Sequence, residues 1–207
     1  DPARSVHGGT GSYFCEGNGW QYTFFVPQDV YGLIELFGGD KPFLERLNQF
    51  FVNNDSMGDE ASADITGLIG QYAHGNEPSH HISYMYAYGG QQWKTAEKVR
   101  YIMDEFYKDT PDGIIGNEDC GQMSAWYILS SMGFYQMNPA DGVYVFGSPR
   151  FDKMSVKVRG GKTFTVEAEN NSKENIYIQK VFLNGKPYKK TYITYDDIIN
   201  GSTLKFI

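Results

Sequence analysis

Residues 122–146, QMSAWYILSSMGFYQMNPADGVYVF, contain the change of pattern that decides the fold. The first part predicts a helix over residues 122–132. From Asp141 onward the apolar residues recur with a period of two, which is typical of half-buried strands. The sequence therefore predicts helices first and then an antiparallel sheet, an α+β arrangement.

Four further helices are predicted upstream, and residues 1–14 are read as an irregular lead-in. The helices are expected to begin at Asp29, at Asp40 with Pro42, at residue 80 (running to 88) and at Thr95, which would act as an N-cap. The second has one apolar face, formed by Phe43, Leu44, Leu47 and Phe51. The loops are rich in Gly, Asn and acidic residues, whereas bundles have short polar connections. This pattern suits part of a larger toroid of helix pairs.

Downstream, strands are predicted over residues 142–146, 154–158, 163–168, 177–183, 188–193 and 203–206. Asn184-Gly185 between two of these runs indicates a two-residue hairpin, and residues 195–200 look like one helical turn. The chain is thus expected to divide into a helical region, 1–140, and an antiparallel β region, 141–207.

Composition narrows the possible functions. The 207 residues carry a net charge of −7 without a basic tract, which argues against nucleic acid and anionic lipid as partners. No apolar run approaches the roughly 20 residues that a membrane-spanning helix needs. The aromatic content of 16% is compatible with neutral ligands such as sugars. The chain begins without Met or a signal peptide, so we expect a processed product from which a secretory signal could have been lost.

Three segments place glycine, asparagine and a carboxylate side by side: Glu16-Gly17-Asn18, Gly75-Asn76-Glu77 and Gly116-Asn117-Glu118-Asp119. Glycine permits close approach of a ligand, and the oxygens of Asn, Asp and Glu suit sugar hydroxyls or a hard cation. The same residues dominate ordinary turns and helix caps. Three such segments beside aromatic residues or histidines nevertheless favour a functional site.

Two of these segments lie at predicted helix starts. His80 and His81 follow the second one, and hydrogen bonding to a polyol is favoured over zinc because adjacent helical residues diverge and no third ligand is evident. Capping by Ser79 is the structural alternative there. Glu118 and Asp119 precede a helix, where they would either complement its dipole or present a carboxylate that activates water.

Several long stretches resemble glycoside hydrolase family 92. They are CEGNGWQYT at 15–23, FVPQD at 25–29, GNEPSHH at 75–81, QWKT at 92–95 and GNEDCGQMSAWY at 116–127. The likeness extends from about Tyr13 to the C-terminus, and the motifs are long and in order. The resemblance implies a calcium-dependent exo-α-mannosidase that acts with inversion on N-glycans and related glycans. It also implies an N-terminal β-sandwich domain and an (α/α)₆ catalytic domain, of which this chain would be the C-terminal part.

The resemblance also assigns roles to individual residues. Glu16 corresponds to the general acid and Asp119 to the general base, and Glu118 is the residue that would assist the base. Asn76 and Glu77 are the expected calcium ligands, and Glu77 is the alternative acid. The residues expected to contact the mannose-containing substrate are Asn18, Trp20, Gln21, His80, His81 and Asn117. Some family members have an Asp at the position of Asn117, so base activation here is expected to rest on Asp119 alone or with Glu118.

An inverting glycosidase needs both carboxylates, roughly 6.5–9.5 Å apart, so that water fits on one face of the sugar. Trp20 and Tyr22 beside Glu16 would supply a low-dielectric wall that favours the protonated acid. A non-catalytic mannose-binding module and a purely structural fragment remain the alternatives, and the isolated chain is expected to be inactive. The family suggests a secreted, periplasmic or cell-surface bacterial protein.

Overall fold

Helices dominate up to residue 131 and strands after it, which confirms the α+β arrangement. The computed structural model describes residues 1–5 and 13–207. Residues 6–12 of the predicted lead-in lie outside the described residues. The remaining parts of that lead-in, 1–5 and 13–14, contain no helix or strand.

Most of the helix starts follow from the local sequence. The helices are α1 Gly19–Thr23, α2 Val30–Leu36, α3 Asp40–Val52, α4 Gln92–Phe106, α5 Gln122–Ser131 and α6 Tyr195–Ile199. Asp29 caps α2, because its carboxylate accepts a hydrogen bond of 2.9 Å from the Gly32 N–H. The predicted apolar face of α3 is buried. The prediction that Thr95 caps α4 was wrong. The helix begins three residues earlier, and the fully buried Thr95 side chain lies inside it.

The helix predicted over residues 80–88 is a 3₁₀-helix, Ile82–Ala87, which follows a shorter 3₁₀ turn at Glu77–Ser79. Its residues from Ile82 to Tyr86 are all buried. Packing on every side therefore replaces the amphipathic pattern of a surface helix. A short hairpin that the sequence did not predict, β1 Leu68–Ile69 with β2 Tyr72–Ala73, precedes it.

The strands form two larger sheets. The first has the order β3-β4-β9 and is antiparallel, and the second has the order β5-β6-β10-β7-β8. Their bounds are β3 Phe134–Gln136, β4 Val143–Phe146, β5 Lys153–Lys157, β6 Thr163–Ala168, β7 Val181–Leu183, β8 Lys186–Pro187, β9 Tyr192–Thr194 and β10 Thr203–Phe206. The Asn184-Gly185 hairpin is confirmed. Both residues have positive φ, 51° and 76°, and they join β7 to β8.

The prediction of a purely antiparallel sheet was wrong in one place, because β10 pairs with β6 in parallel. Alternation of apolar and polar residues identifies the buried face of a strand but does not encode its direction. The long connection from β6 through β7, β8, β9 and α6 allows the last strand to insert between β6 and β7. The predicted division at residue 140 falls between β3 and β4, two paired strands of one sheet.

Two large apolar clusters and a small third one stabilise the described chain, and a buried arginine joins its halves. One large cluster surrounds Phe24, Phe50 and Trp126 among the helices, and the other large cluster lies between the sheets. Arg100 of α4 donates hydrogen bonds to the carbonyls of Pro149 and Ser172, so the guanidinium ties α4 to the β region. Among the described residues, no helix is long and apolar enough to cross a membrane.

Candidate functional site

The three segments of glycine, asparagine and acid come together in space. Asn76 Nδ2 donates a 2.5 Å hydrogen bond to the Glu16 carbonyl, which joins the first segment to the second. The second and third meet at their glycines, since a Cβ at position 116 would lie 3.3 Å from Gly75 Cα. Thr66 packs beside both, and a Cβ at position 75 would lie 1.9 Å from its hydroxyl oxygen. Only glycine therefore permits this approach of the two backbones.

Buried histidines hold these segments in place. His81 Nε2 donates to the Phe24 carbonyl at 2.7 Å, at the end of α1. His80 Nε2 donates to the His74 carbonyl at 2.8 Å, and its Nδ1 accepts from Gln122 Nε2 at 3.0 Å. The carbonyl of His80 in turn accepts from Trp126 Nε1. His80, which follows the second segment, is thus hydrogen-bonded to the first turn of α5. This helix begins shortly after the third segment.

His74 extends this network through two tyrosines. The Tyr107 hydroxyl donates to the Met123 carbonyl at 3.1 Å, so it accepts from His74 Nε2 at 2.7 Å. His74 Nδ1 is then an acceptor for the Tyr72 hydroxyl at 2.8 Å. These bonds define a single tautomer with the proton on Nε2. His74 also contacts the Trp126 ring, at a centroid distance of 4.4 Å.

The three imidazoles are neutral near pH 7. Burial lowers the pKa of His80 and of His81 to about 4. Burial also holds the pKa of His74 well below its usual value. The hydrogen bond to the His74 carbonyl and the nearby Asp119 carboxylate oppose this effect at His80 without overcoming it. His80 and His81 were predicted to contact substrate, but the described hydrogen bonds of both rings go to protein atoms.

Asn18 of the first segment and the nearby Gln21 support the structure with their side chains. Asn18 and Gln21 form a capping box on α1, in which each side chain accepts from the other residue's main chain. Asn18 Nδ2 also donates to Gln71 Oε1, and Gln21 Nε2 donates to the Gln71 carbonyl. Both side chains are buried and their hydrogen bonds are structural, and contact with substrate stays a prediction for them. The Asn-x-x-Gln spacing could have revealed this cap in the sequence.

Trp20 was also predicted to contact substrate, and it is largely covered. Its exposed fraction is 6%, and the Arg46 guanidinium lies 3.5 Å from its ring centroid. The ring therefore belongs to the helical core and to a cation–π contact. Tyr22, the other predicted wall residue, donates its hydroxyl proton to the Cys15 carbonyl at 2.7 Å.

Glu118 is hydrogen-bonded to the N-terminus of α5. Its carboxylate accepts from the main-chain N–H of Gly121 and, at 3.0 Å, from that of Ser124 at the start of α5. Hydrogen bonds from Ser124 hold the pKa of the Glu118 carboxyl below its usual value. A carboxylate that is both occupied and weakly basic is poorly suited to deprotonate water, so the structure argues against the predicted helper role.

Glu16 and Asp119 occupy unusual backbone conformations. Within the described chain, positive φ at a residue other than glycine occurs at Glu16, Asp119, Cys120, Asn170 and Asn184, with values from 49° to 59°. Asparagine tolerates this conformation well and aspartate fairly well, whereas glutamate and cysteine rarely adopt it. Three of the five positions thus lie in or directly beside two of the converging segments. Strain that the surrounding structure maintains is typical of functional sites.

Asn76 and Glu77 offer oxygen ligands of the kind that calcium prefers. Asn76 is buried, and because its Nδ2 is bonded to the Glu16 carbonyl, its Oδ1 is left as the acceptor. Glu77 is exposed. Within residues 1–5 and 13–207, however, no three His, Cys, Asp or Glu side chains are grouped so as to hold a metal ion. The two residues suit a hard cation chemically and supply only part of the six to eight oxygens that it needs.

Sequence reasoning missed several residues of the site. Tyr135 accepts a hydrogen bond from Gln122 Nε2 at 3.2 Å, and burial together with the nearby Glu77 carboxylate raises its pKa. Asp64 accepts from Asn117 Nδ2 at 3.1 Å. Neither residue adjoins a motif, and each reaches the site through a contact with a distant segment. No local pattern could have identified them.

One of the cavities in the described part of the chain lies away from these residues. A groove of about 380 Å³ runs between the start of α2, the end of the long 3₁₀-helix and strands β4 and β9, with Tyr31, Tyr88 and Tyr192 in its walls. None of the predicted site residues lines it. Of the acidic residues in the converging segments, Glu77 and Asp119 are exposed and Glu16 is partly buried, and the Glu77 carboxylate lies near Tyr135.

The chain is similar to known proteins over most of its length. The sequence model of the glycosyl hydrolase family 92 catalytic domain matches residues 1–207. An uncharacterized secreted glycosidase of Arthroderma benhamiae is 35% identical over 189 residues, which are 90% of this chain and 22% of that protein.

Solved structures are similar over all or nearly all of the chain. The family GH92 α-mannosidase of Bacteroides thetaiotaomicron in complex with mannoimidazole superposes with a TM-score of 0.93 at 41% identity, covering 100% of this chain and 27% of that one. A family GH92 inverting mannosidase of the same organism superposes with a TM-score of 0.79 at 38% identity, covering 93% and 27%. The chain thus spans about a quarter of the length of these relatives.

The buried histidines predict that acid destabilises the fold. Because His80 and His81 titrate near 4 when folded and near 6.5 when unfolded, unfolding takes up roughly one proton per histidine at about pH 5. Their contribution to stability is fully present above about pH 6.5 and declines as the pH falls toward about 4. Urea unfolding between pH 7 and 4.5 measures this slope. His81→Gln keeps a donor for the Phe24 carbonyl but cannot titrate, so it should flatten the slope. An unchanged slope would contradict the assignment.

The strained backbone predicts that a substitution at Cys120 increases stability. Asparagine tolerates positive φ better than cysteine, so Cys120→Asn should raise the free energy of unfolding by up to about 1 kcal/mol. The matched control is Cys15→Asn, since Cys15 is also an exposed cysteine but has no positive φ. That change should have little effect. Equal effects of the two substitutions in chemical denaturation would show that position 120 carries no strain.

Proposed function

Because this chain belongs to glycoside hydrolase family 92, we propose that the protein hydrolyses terminal α-linked mannose from glycans with inversion of configuration. The observation that carries the proposal is the convergence of the Glu16 and Asp119 segments, both held with positive φ around Asn76 and His80. Two relatives near 40% identity are α-mannosidases or mannosidases, and one of them is described as inverting. A lectin has no need for carboxylates on two sides of a sugar.

The proposal extends to the whole protein. Since the chain spans about a quarter of its relatives, α1 to α5 would be part of a larger (α/α)₆ toroid, and an N-terminal domain would complete the substrate site. The isolated chain would then be inactive. The relative described as a secreted glycosidase supports action outside the cytoplasm.

Glu16 is the proposed general acid. Its carbonyl is fixed by Asn76 and its segment by the capping box of α1, so the side chain leaves the loop from a defined backbone position. In the reaction it would donate a proton to the glycosidic oxygen as the bond to the anomeric carbon breaks. Tyr22, next to this segment, would keep part of its surroundings apolar.

Asp119 is the proposed general base, and it would act without Glu118. The Glu118 carboxylate is bonded to the N-terminus of α5, whereas the exposed Asp119 has no hydrogen bond to its carboxylate within the described residues. Asp119 would remove a proton from a water molecule that attacks the anomeric carbon from the face opposite Glu16. Burial keeps His80 neutral, so no imidazolium ion forms there to compete for this carboxylate.

Calcium would be held in part by Asn76 Oδ1 and by the Glu77 carboxylate, with the remaining oxygens from main chain, water, substrate or other parts of the protein. When bound, the ion would supply an electrophilic contact to sugar hydroxyls. Asn76 would also align the Glu16 segment through its hydrogen bond, and this role does not require the ion.

Calcium binding should be visible as thermal stabilisation of the full-length protein. A ligand that binds only the folded state at about 100 times its Kd adds about 2.7 kcal/mol. Calcium chloride should therefore raise the unfolding temperature of the wild type over a chelator, and Glu77→Gln should reduce the increase. Asp112→Asn is the matched control, as Asp112 is an exposed carboxylate on the loop that precedes the third segment. Equal calcium protection of the Glu77→Gln variant would rule Glu77 out as a ligand.

The two carboxylates should respond differently to the leaving group. In the full-length protein, Asp119→Ala and Glu16→Gln should each lower kcat on α-linked mannobiosides by about 10²–10⁴-fold. An aryl α-mannoside with a low-pKa leaving group needs no proton, so it should partly rescue Glu16→Gln and not Asp119→Ala.

The control for this comparison is again Asp112→Asn, which should behave as the wild type. Rescue of Glu77→Gln in place of Glu16→Gln would move the acid to Glu77. If the wild-type protein binds mannosides without hydrolysing them, the protein is a mannose-binding module and not an enzyme.

A further inference from the structure

Asp64 lies far from the third segment in sequence and touches it in space. Its Oδ1 accepts the 3.1 Å hydrogen bond from Asn117 Nδ2, two residues before Asp119. Its Oδ2 accepts from Ser62 Oγ at 2.8 Å. A tight turn orients the carboxylate, since the Ile65 N–H donates to the Ser62 carbonyl and the Thr66 N–H to the Asp64 carbonyl. Both oxygens of Asp64 are therefore engaged in a fixed arrangement.

The loop from Gly116 to Asp119 is restrained at three points. Gly116 packs on Gly75 and Thr66, and Glu118 is bonded to the N-terminus of α5. Asn117 lies between these two points, and its described side-chain hydrogen bond goes to Asp64. Asp119 and the next residue follow with φ of 54° and 56°, a conformation that a free loop would leave. The Asp64–Asn117 bond is thus one of the contacts that hold the proposed base in its strained position.

The same bond also orients the Asn117 amide. A carboxylate is acceptor-only, so only the Nδ2 edge of the amide can face it. Oδ1 lies on the opposite edge of the planar group and remains an acceptor for a water or sugar hydroxyl. An amide without this partner could turn through 180° at little cost, and it would then present a donor in place of an acceptor.

We propose that Asp64 is a positioning residue for the loop from Gly116 to Asp119. It would act through Asn117 on the placement of Asp119. This role rests on the proposed hydrolysis, since it assigns Asp64 to the loop that carries the proposed base. Asp64 is not expected to touch the reacting atoms. Its loss should therefore lower kcat more than it raises KM. A misplaced base stabilises the transition state less, whereas the other contacts that bind the sugar persist.

The test is a set of substitutions at positions 64 and 117 in the full-length protein, assayed on an aryl α-mannoside. Asp64→Ala should lower kcat by about 10–100-fold, the range that small misplacements cause, with KM within about twofold. The matched control is Asp59→Ala, an exposed carboxylate on the same stretch of loop, which should leave both constants unchanged.

Reversing the hydrogen bond gives the sharper measurement. Asn117→Asp alone would place two carboxylates against each other and should also lower kcat. The double variant Asp64→Asn/Asn117→Asp restores the bond in the opposite direction, with the amide donor at position 64 and the carboxylate acceptor at position 117. Its kcat should exceed that of Asn117→Asp by about tenfold or more, a recovery that simple loss of folding would not produce.

Thermal unfolding separates the two proposals when it is measured on the wild type, on Asp64→Asn, on Asn117→Asp and on the double variant. Non-additive shifts in unfolding temperature would show that positions 64 and 117 interact, whether or not the protein is a hydrolase. An active wild type whose Asp64→Ala variant keeps its kcat, or a double variant no better than Asn117→Asp, would overturn the role of Asp64 alone. A wild type that hydrolyses no mannoside, with the coupling in unfolding intact, would overturn the proposed function and this role with it.

Discussion

The burial of His80 as a neutral imidazole is the constraint on which the site depends. Its Nε2 is committed to the His74 carbonyl, its Nδ1 to Gln122 and its own carbonyl to Trp126. A buried imidazole with one proton has one donor and one acceptor, and the fold provides a partner for each. This single residue therefore fixes the distance between the second segment and the start of α5. A protonated ring would lose its acceptor and would be expensive to bury.

Glycine makes the remaining approach possible. Gly75 and Gly116 bring two backbones into contact with Thr66 beside them, and any side chain at either position would force the segments apart. Asn76 then joins the first segment to the other two by donating a hydrogen bond to the Glu16 carbonyl. These contacts, which involve main-chain atoms, arrange the segments that carry the acidic side chains. The site is consequently assembled without using the carboxylate of Glu16 as a structural partner in any hydrogen bond of the described residues.

Polar residues of the motifs divide into two kinds. One kind supports the site, because its side chains form hydrogen bonds at helix N-termini: Asn18, Gln21 and Glu118. Within the part of the chain that the structure describes, the carboxylates of Glu16 and Asp119 take no part in such hydrogen bonds. A motif that extends over a dozen residues thus contains the supports of a site as well as its proposed reactive groups. Backbone strain at Glu16 and Asp119 distinguishes these positions from the supporting ones.

The sequence by itself determined the features that depend on near neighbours. The cap at Asp29, the apolar face of α3, the span of α5 and the Asn184-Gly185 turn all follow from residues within one or two turns of chain. The carboxylate segments were also recognisable, because their composition and motifs are local. Only the tertiary structure decided that β10 runs parallel to β6, that Thr95 lies inside α4, and that Asp64 holds Asn117. Those outcomes depend on burial and on pairings between distant residues, and periodicity and capping preferences carry no information about which distant groups a residue will meet.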